Sequence, residues 1–117
     1  MIINYEFMKM LLKKFEIFWK GLLKELATPK KIKNWTAKKG HFGENFTAQV
    51  TSNPTTGGII LCTTVKGSEN NASMEDFHMI YKNWEGYLSG RIPRKEFSKR
   101  SFVTKYTISI IHQFGES

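Results

Sequence analysis

The first part of the chain carries apolar residues at helical spacing. Between residues 5 and 27 they recur every three or four positions, and Pro29 follows where a helix must stop. The stripe consists of Leu11, Phe15, Phe18, Leu22 and Leu26, widened by Met8, Leu12, Trp19 and Leu23. So wide an apolar surface must be buried. The pattern predicts a core helix, a helix at a subunit contact, or a basic helix on a membrane surface, since lysines flank the apolar face.

Strand patterns follow the first helix. We predict three strands, at residues 31–37, 45–51 and 58–65. The second alternates strictly between apolar and polar residues, whereas the third, "GIILCTTV", is apolar on both faces from Ile59 to Cys62. Gly, Asn and Pro occupy the connections, as tight turns require. The pattern indicates an antiparallel meander whose third strand is covered on both faces.

A second helix is predicted over residues 73–90, after a loop with the sequence "GSENNAS". Ser73 and Asp76 have the spacing of a capping box, and Gly90 is a helix-ending signal. Pro93 then suits the first turn of a further short helix. The apolar stripe of the second helix consists of Met74, Phe77, Tyr81, Trp84 and Leu88. We expect Trp84 to be mostly buried against the sheet, with Phe77 and Tyr81 beside it.

The last segment, residues 102–114, fits two patterns. Alternating apolar and polar residues favour a strand, but Thr104 is a suitable helix cap, and His112 and Gly115 are helix-ending signals. We favour the helix and keep the strand as the alternative. The expected fold is therefore α+β: a long N-terminal helix, a three-stranded antiparallel meander, then two or three helices.

The length and composition indicate one domain. The chain has 117 residues, of which 40% are hydrophobic and 14% aromatic, which is enough for a single core. Its one cysteine, Cys62, excludes an intramolecular disulfide, and we expect a buried side chain in a cytoplasmic protein. Lysines interrupt the apolar N-terminal part, so we expect no membrane span.

Positive charge is concentrated in residues 28–40 and 91–105. These stretches hold 11 of the 18 basic residues but 1 of the 10 acidic residues, in a chain of net charge +8. Such patches attract polyanions, here a nucleic acid or an acidic protein, although a solvated loop would have the same composition. The candidate anion-binding residues are Lys30, Lys31, Lys33, Lys38, Lys39, Arg91, Arg94, Lys95, Lys99 and Arg100. Trp35 and Phe42 add rings on which unpaired bases could stack, with a core position as the alternative for Trp35.

Residues suited to catalysis or metal binding are scattered. Asp76 is the single aspartate and is engaged by the predicted cap, whereas metal-dependent nucleases need clustered carboxylates. His41, His78 and His112 lack the short spacing of metal ligands. The "TTGGII" segment lacks both the lysine and the following helix of a phosphate-binding loop. We therefore expect no enzyme, no metal and no cofactor.

Two functions remain. The first is a homodimeric binding protein with an apolar subunit interface or a pocket for a small molecule or protein partner. The alternative is a small nucleic-acid-binding protein that uses residues 30–39 and 91–105. The two hypotheses are separated most directly by whether the two basic segments share one face of the folded chain.

Overall fold

An antiparallel sheet with helices packed on one face forms the body of the protein. The computed structural model describes residues 5–51 and 59–115. Within them the chain order is α1 (Tyr5–Glu25), β1 (Lys30–Ile32), β2 (Trp35–Thr36), β3 (Gly40–His41), β4 (Phe46–Thr51), β5 (Ile59–Thr64), β6 (Glu69–Ser73), α2 (Met74–Tyr81), α3 (Trp84–Leu88), α4 (Arg94–Ser98) and α5 (Thr104–Gly115). The main sheet has the order β1-β4-β5-β6, and β2 and β3 form a separate ribbon. This architecture confirms the predicted α+β class.

The strand register directs one face of the main sheet into the core. Three pairs of facing residues on that face are all buried: Ile32 with Phe46, Ala48 with Cys62, and Ile60 with Ala72. On the opposite face of β5, Ile59 and Leu61 are half-buried. The third predicted strand is therefore fully covered on one face and only partly covered on the other.

The sheet is larger than the predicted three-stranded meander. The segment that we expected to be a loop contains β6, which pairs with β5 as an edge strand. Its sequence, "ENNAS", carries little strand propensity, because Glu and Asn are depleted in strands. An edge strand tolerates these polar residues because one side of it faces solvent.

The first predicted strand is divided into β1 and β2 by hydrogen bonds to α5. The amide of Lys33 donates to Gln113 Oε1 (3.1 Å), and Gln113 Nε2 donates to the Lys31 carbonyl (3.1 Å). One helical turn earlier, Ser109 Oγ accepts a hydrogen bond from the amide of Trp35 (2.9 Å). Side chains of α5 thus hold the chain where strand pairing is interrupted.

Replacement of Ser109 by Ala is expected to lower the free energy of unfolding by about 1–3 kcal/mol, because the amide of Trp35 loses its acceptor in a partly buried position. Ser109 is completely buried. The matched control is Ser98→Ala, which removes an exposed hydroxyl and should change stability by at most about 0.5 kcal/mol. Urea denaturation measures both. Equal effects of the two substitutions would contradict this role of Ser109.

The predicted helix 73–90 is two helices. Its start is as expected: the Ser73 amide donates to Asp76 Oδ2 (2.9 Å), and Ser73 Oγ accepts from the Asp76 amide (3.2 Å). The helix ends after Tyr81, where Asn83 Nδ2 donates to the Met79 carbonyl (2.8 Å). This break gives four helices after the sheet in the described part of the chain, rather than two or three.

The break also changes the environment of the predicted aromatic stripe. Phe77 is completely buried, as expected, but Tyr81 and Trp84 are half-buried. The Trp84 ring lies 6.1 Å from the Trp35 ring and 5.4 Å from the Tyr87 ring, measured between centroids. Trp84 is therefore packed against the core, but it is less buried than Phe77 and its ring lies beside β2 of the separate ribbon rather than on the main sheet.

The C-terminal segment is helical, which confirms the favoured alternative. Most of α5 is buried, including Ile108, Ile110 and Ile111, and Tyr106 packs edge-on against Phe46 (5.0 Å between centroids). A helix buried on several sides carries apolar residues around most of its circumference. This explains why its sequence resembles a strand.

Only the C-terminal half of α1 packs against the body. Trp19 contacts Phe77 (5.4 Å between ring centroids), and Phe18 stacks on Tyr81 (4.8 Å). The predicted core helix is therefore confirmed for this half, whereas residues 5–14 are all exposed. No helix among the described residues has both the length and the apolar character needed to cross a membrane.

We expect stability to fall on acidification in a way that depends on His78. The imidazole lies 4.7 Å from the Phe15 ring, and burial together with the nearby Lys82 ammonium lowers its pKa from the ordinary value of 6.5. Below pH 6.5 the His78 side chain takes up a proton more readily in the unfolded chain than in the folded chain. The free energy of unfolding therefore falls as the pH decreases below 6.5. Urea denaturation at several pH values should show a shallower fall for His78→Gln than for wild type. A fall in the free energy of unfolding as steep for His78→Gln as for wild type would contradict this role of His78.

Candidate anion-binding cleft

A cleft of about 510 Å³ opens between the β2–β3 hairpin and the connection from α3 to α4. One wall comes from residues 36–42, which include part of the first basic segment. The other comes from residues 87–94, which include the start of the second. The lining residues are Thr36, Ala37, Lys38, Lys39, Phe42, Tyr87, Leu88, Ser89, Gly90, Ile92, Pro93 and Arg94.

The hairpin wall is fixed at its tip and its base. At the tip, the Ala37 amide donates to the Tyr87 hydroxyl (3.0 Å), and Gly40 supplies the positive φ (68°) that the turn requires. At the base, the Trp35 ring stacks on His112 with 3.8 Å between centroids and 1° between planes. The hairpin is therefore held against α3 and α5.

The opposite wall depends on a close backbone approach at Gly86. A Cβ atom there would lie 2.7 Å from Ile92 Cδ1, so any other residue would require the Ile92 side chain to shift away from α3. The Ile92 amide donates to the Gly86 carbonyl (3.0 Å), and Gly90 has a φ of 84°. Pro93 then starts α4, which places Arg94 at the cleft.

The cleft combines an apolar floor with positive charge. Lys38, Lys39 and Arg94 are exposed, and the described residues that line the cleft include no Asp or Glu. The Phe42 side chain is 56% exposed, and Lys39 Nζ lies 4.5 Å from its ring centroid. An anion is attracted to this wall, while a planar apolar group has the Phe42 ring to stack on.

The other predicted anion-binding residues do not line this cleft. Lys30, Lys31 and Lys33 lie on or just after β1, while Lys95, Lys99 and Arg100 lie on or just after α4. Lys99 pairs with Glu96 (3.1 Å), and Arg91 Nε donates to Ser89 Oγ (3.2 Å) beside the cleft. Of the two predicted stacking residues, Phe42 faces the cleft, whereas Trp35 is half-buried with one ring face on His112.

In the described part of the chain, the other reactive side chains are those of Cys62 and the histidines. Burial raises the pKa of the Cys62 thiol to about 12, so it stays protonated and is not a nucleophile near neutral pH. His41 and His112 approach each other, with 5.9 Å between ring centroids. Within residues 5–51 and 59–115 there is no group of three or more His, Cys, Asp or Glu that could hold a metal ion.

Sequence reasoning missed the residues that build the cleft. Tyr87 fixes the hairpin through its hydroxyl, and Ile92 fills the space above Gly86. The available signal was Gly86, which lies inside the predicted helix 73–90 and which we did not interpret. A glycine within a helix can mark a place where another segment approaches the backbone closely.

Comparison with known proteins found no protein-family model, no curated protein and no solved structure that matches this chain.

Proposed function

We propose that this protein is a non-enzymatic binding protein that holds single-stranded nucleic acid in the cleft between the hairpin and α4. The proposal is supported by one observation: Lys38 and Lys39 from one basic segment and Arg94 from the other line a single concave surface with an exposed ring, Phe42. Proteins that bind single strands combine a basic groove for the phosphates with aromatic rings for the bases. In this chain the three basic residues contact phosphates and Phe42 stacks on one base.

An unpaired strand fits this surface better than a duplex. In a duplex the bases are stacked on each other, so a ring in a cleft finds no free base face. Duplex readers usually place a helix in the major groove, but α3 and α4 have five residues each, a length of about 7 Å.

Fluorescence anisotropy with labelled oligonucleotides tests the proposal. We expect single-stranded DNA or RNA to bind more tightly than a duplex of the same sequence. The log–log salt slope should be about −2, because three phosphate contacts on a single strand contribute about −0.7 each. Absence of binding to any oligonucleotide below about 100 µM at about 50 mM salt would exclude the proposal, since even non-specific binding reaches that range.

A small anionic molecule is the second candidate ligand, favoured by the size of the cleft. Its volume of about 510 Å³ lies within the range of about 300–1,000 Å³ typical of small-molecule sites. A free nucleoside monophosphate that competes as well as an oligonucleotide would favour this candidate. In either case we place the protein in the cytoplasm, where a single buried Cys62 remains a thiol.

A further inference from the structure

A second, smaller cavity borders the cleft at Phe42. It has a volume of about 280 Å³, and among the described residues Phe42 is the one that lines both cavities. The Phe42 amide donates to the Asn34 carbonyl (3.1 Å), and Asn34 lines the smaller cavity as well. We call this cavity the side pocket. It is the space that the nucleotide next to the one stacked on Phe42 would reach.

The side pocket has polar walls and an apolar floor. One wall is the turn before β4, which supplies Glu44, and the other is the first turn of α5, which supplies Lys105. Phe46 and Tyr106 are both buried and form the floor, where their rings meet edge-on with 5.0 Å between centroids. A flat apolar ring therefore has a surface to lie on, with polar groups around its edge.

Buried Ser109 holds two parts of this rim together. Its Oγ lies 3.0 Å from the Lys105 carbonyl oxygen and 3.2 Å from Asn34 Oδ1. The backbone that carries Lys105 and the side chain of Asn34 are thus fixed to the same point of α5. The side pocket is therefore a formed part of the fold.

Glu44 and Lys105 carry opposite charges on this rim, and both are exposed. Within residues 5–51 and 59–115 the ion pairs are Lys20 with Glu16 and Lys99 with Glu96, so Glu44 and Lys105 do not pair with each other. A carboxylate beside a basic cleft lowers the attraction for phosphates. What it offers a bound strand is a pair of acceptor oxygens for N–H groups, while Lys105 offers a donor.

Guanine is the base whose edge matches this pair of side chains. Its Watson–Crick edge presents two neighbouring donors, N1–H and the N2 amino group, followed by the O6 acceptor. A carboxylate accepts from both donors at once, and a lysine ammonium donates to O6. Adenine and cytosine present one amino group on that edge, and thymine and uracil one ring N–H, so each leaves a carboxylate oxygen without a donor.

We propose that the side pocket binds a guanine base of the strand held in the cleft. Glu44 accepts hydrogen bonds from N1–H and the N2 amino group, Lys105 donates to O6, and the ring lies over Phe46 and Tyr106. This inference rests on the proposed function and deepens it. Phosphate contacts and a stacking ring accept any sequence, whereas contacts to a base edge select one base.

Fluorescence anisotropy with labelled thymidine oligonucleotides tests the inference. The oligonucleotides differ at one central position, which holds guanine, hypoxanthine, adenine or cytosine. The wild type should bind the guanine strand on the order of 10-fold more tightly than the adenine or cytosine strand, the discrimination expected of a paired base contact. Hypoxanthine lacks the N2 amino group, so its strand should bind with intermediate affinity.

Glu44→Gln should remove this preference, because the amide keeps a single acceptor oxygen in place of two. The matched control is Glu69→Gln, which removes the same charge from an exposed position outside both cavities and should keep the preference for guanine. The measured quantity is the ratio of affinities for the guanine and adenine strands, which a general change of charge does not alter. Circular dichroism checks the fold of both variants.

Equal binding of all strands by the wild type would overturn the inference and leave the proposed function in place. The same holds for a preference for guanine that persists in Glu44→Gln or is lost in Glu69→Gln. Absence of binding to every strand would instead exclude the proposed function, and the guanine site with it.

Discussion

Replacement of Phe77 by Ala is expected to lower the free energy of unfolding by about 3–5 kcal/mol, the usual range for a core aromatic residue. The side chain is completely buried, and its ring centroid lies 5.4 Å from that of Trp19. Phe77 therefore joins α1 to α2, and its removal leaves a cavity that two helices border. Domains of this size are stable by only about 5–15 kcal/mol, so the variant should be close to unfolding at moderate urea concentrations.

Trp84→Ala provides the comparison, because it removes a larger side chain from the same stretch of sequence. Trp84 is half-buried and lines the open groove beside α1, so water reaches part of the space that the indole leaves. We expect a loss smaller than that of Phe77→Ala. Urea denaturation followed by far-ultraviolet circular dichroism measures both. A larger loss for Trp84→Ala would place the centre of the core at α3.

The part of the fold that was predictable is the part determined by neighbouring residues. The capping box of Ser73 and Asp76 acts over three positions, and the alternation of β4 selects its buried face without help from distant segments. Phe77 was identified in the same way, since it lies on the apolar stripe of α2.

The errors arose where a distant segment determines the local structure. The division of β1 from β2 depends on Ser109 and Gln113, more than 70 residues further along the chain. The polar β6 is a strand because β5 provides a partner for its backbone, not because of its own side chains. Helical spacing likewise did not show that half of the α1 stripe would remain uncovered.

The candidate site was also predictable from the sequence only in part. Residue type was sufficient to nominate Lys38, Lys39, Arg94 and Phe42, because charge and aromatic rings are visible in any sequence. Their grouping depends on the bond from Ala37 to Tyr87, which connects two segments 50 residues apart. The nucleic-acid hypothesis required the segments 30–39 and 91–105 to share one face, and the cleft is lined by Lys38, Lys39 and Arg94 from these segments but not by Lys30, Lys31 or Lys33.

Substitution of Gln for Lys38, Lys39 and Arg94 together is expected to reduce the log–log salt slope of single-strand binding by about 2 and to weaken binding at low salt, because three counterion-releasing contacts are lost. The fold should persist, since exposed charges contribute little to stability. The matched control replaces Lys30, Lys31 and Lys33 by Gln, which removes the same charge from exposed positions outside the cleft. Equal effects of the two triple variants would show that net charge, not the cleft, attracts the strand.

Phe42→Ala should act on the same complex in a different way. Loss of a stacking ring weakens binding by about 1–3 kcal/mol for each base, but it releases no counterion and should leave the salt slope unchanged. Phe42 is exposed, so the unfolding free energy should change little. If a single strand is held in this cleft, the three basic residues determine the salt slope, whereas the Phe42 ring changes the affinity without changing that slope. A Phe42→Ala variant with wild-type affinity would leave phosphate contacts alone as the basis of binding.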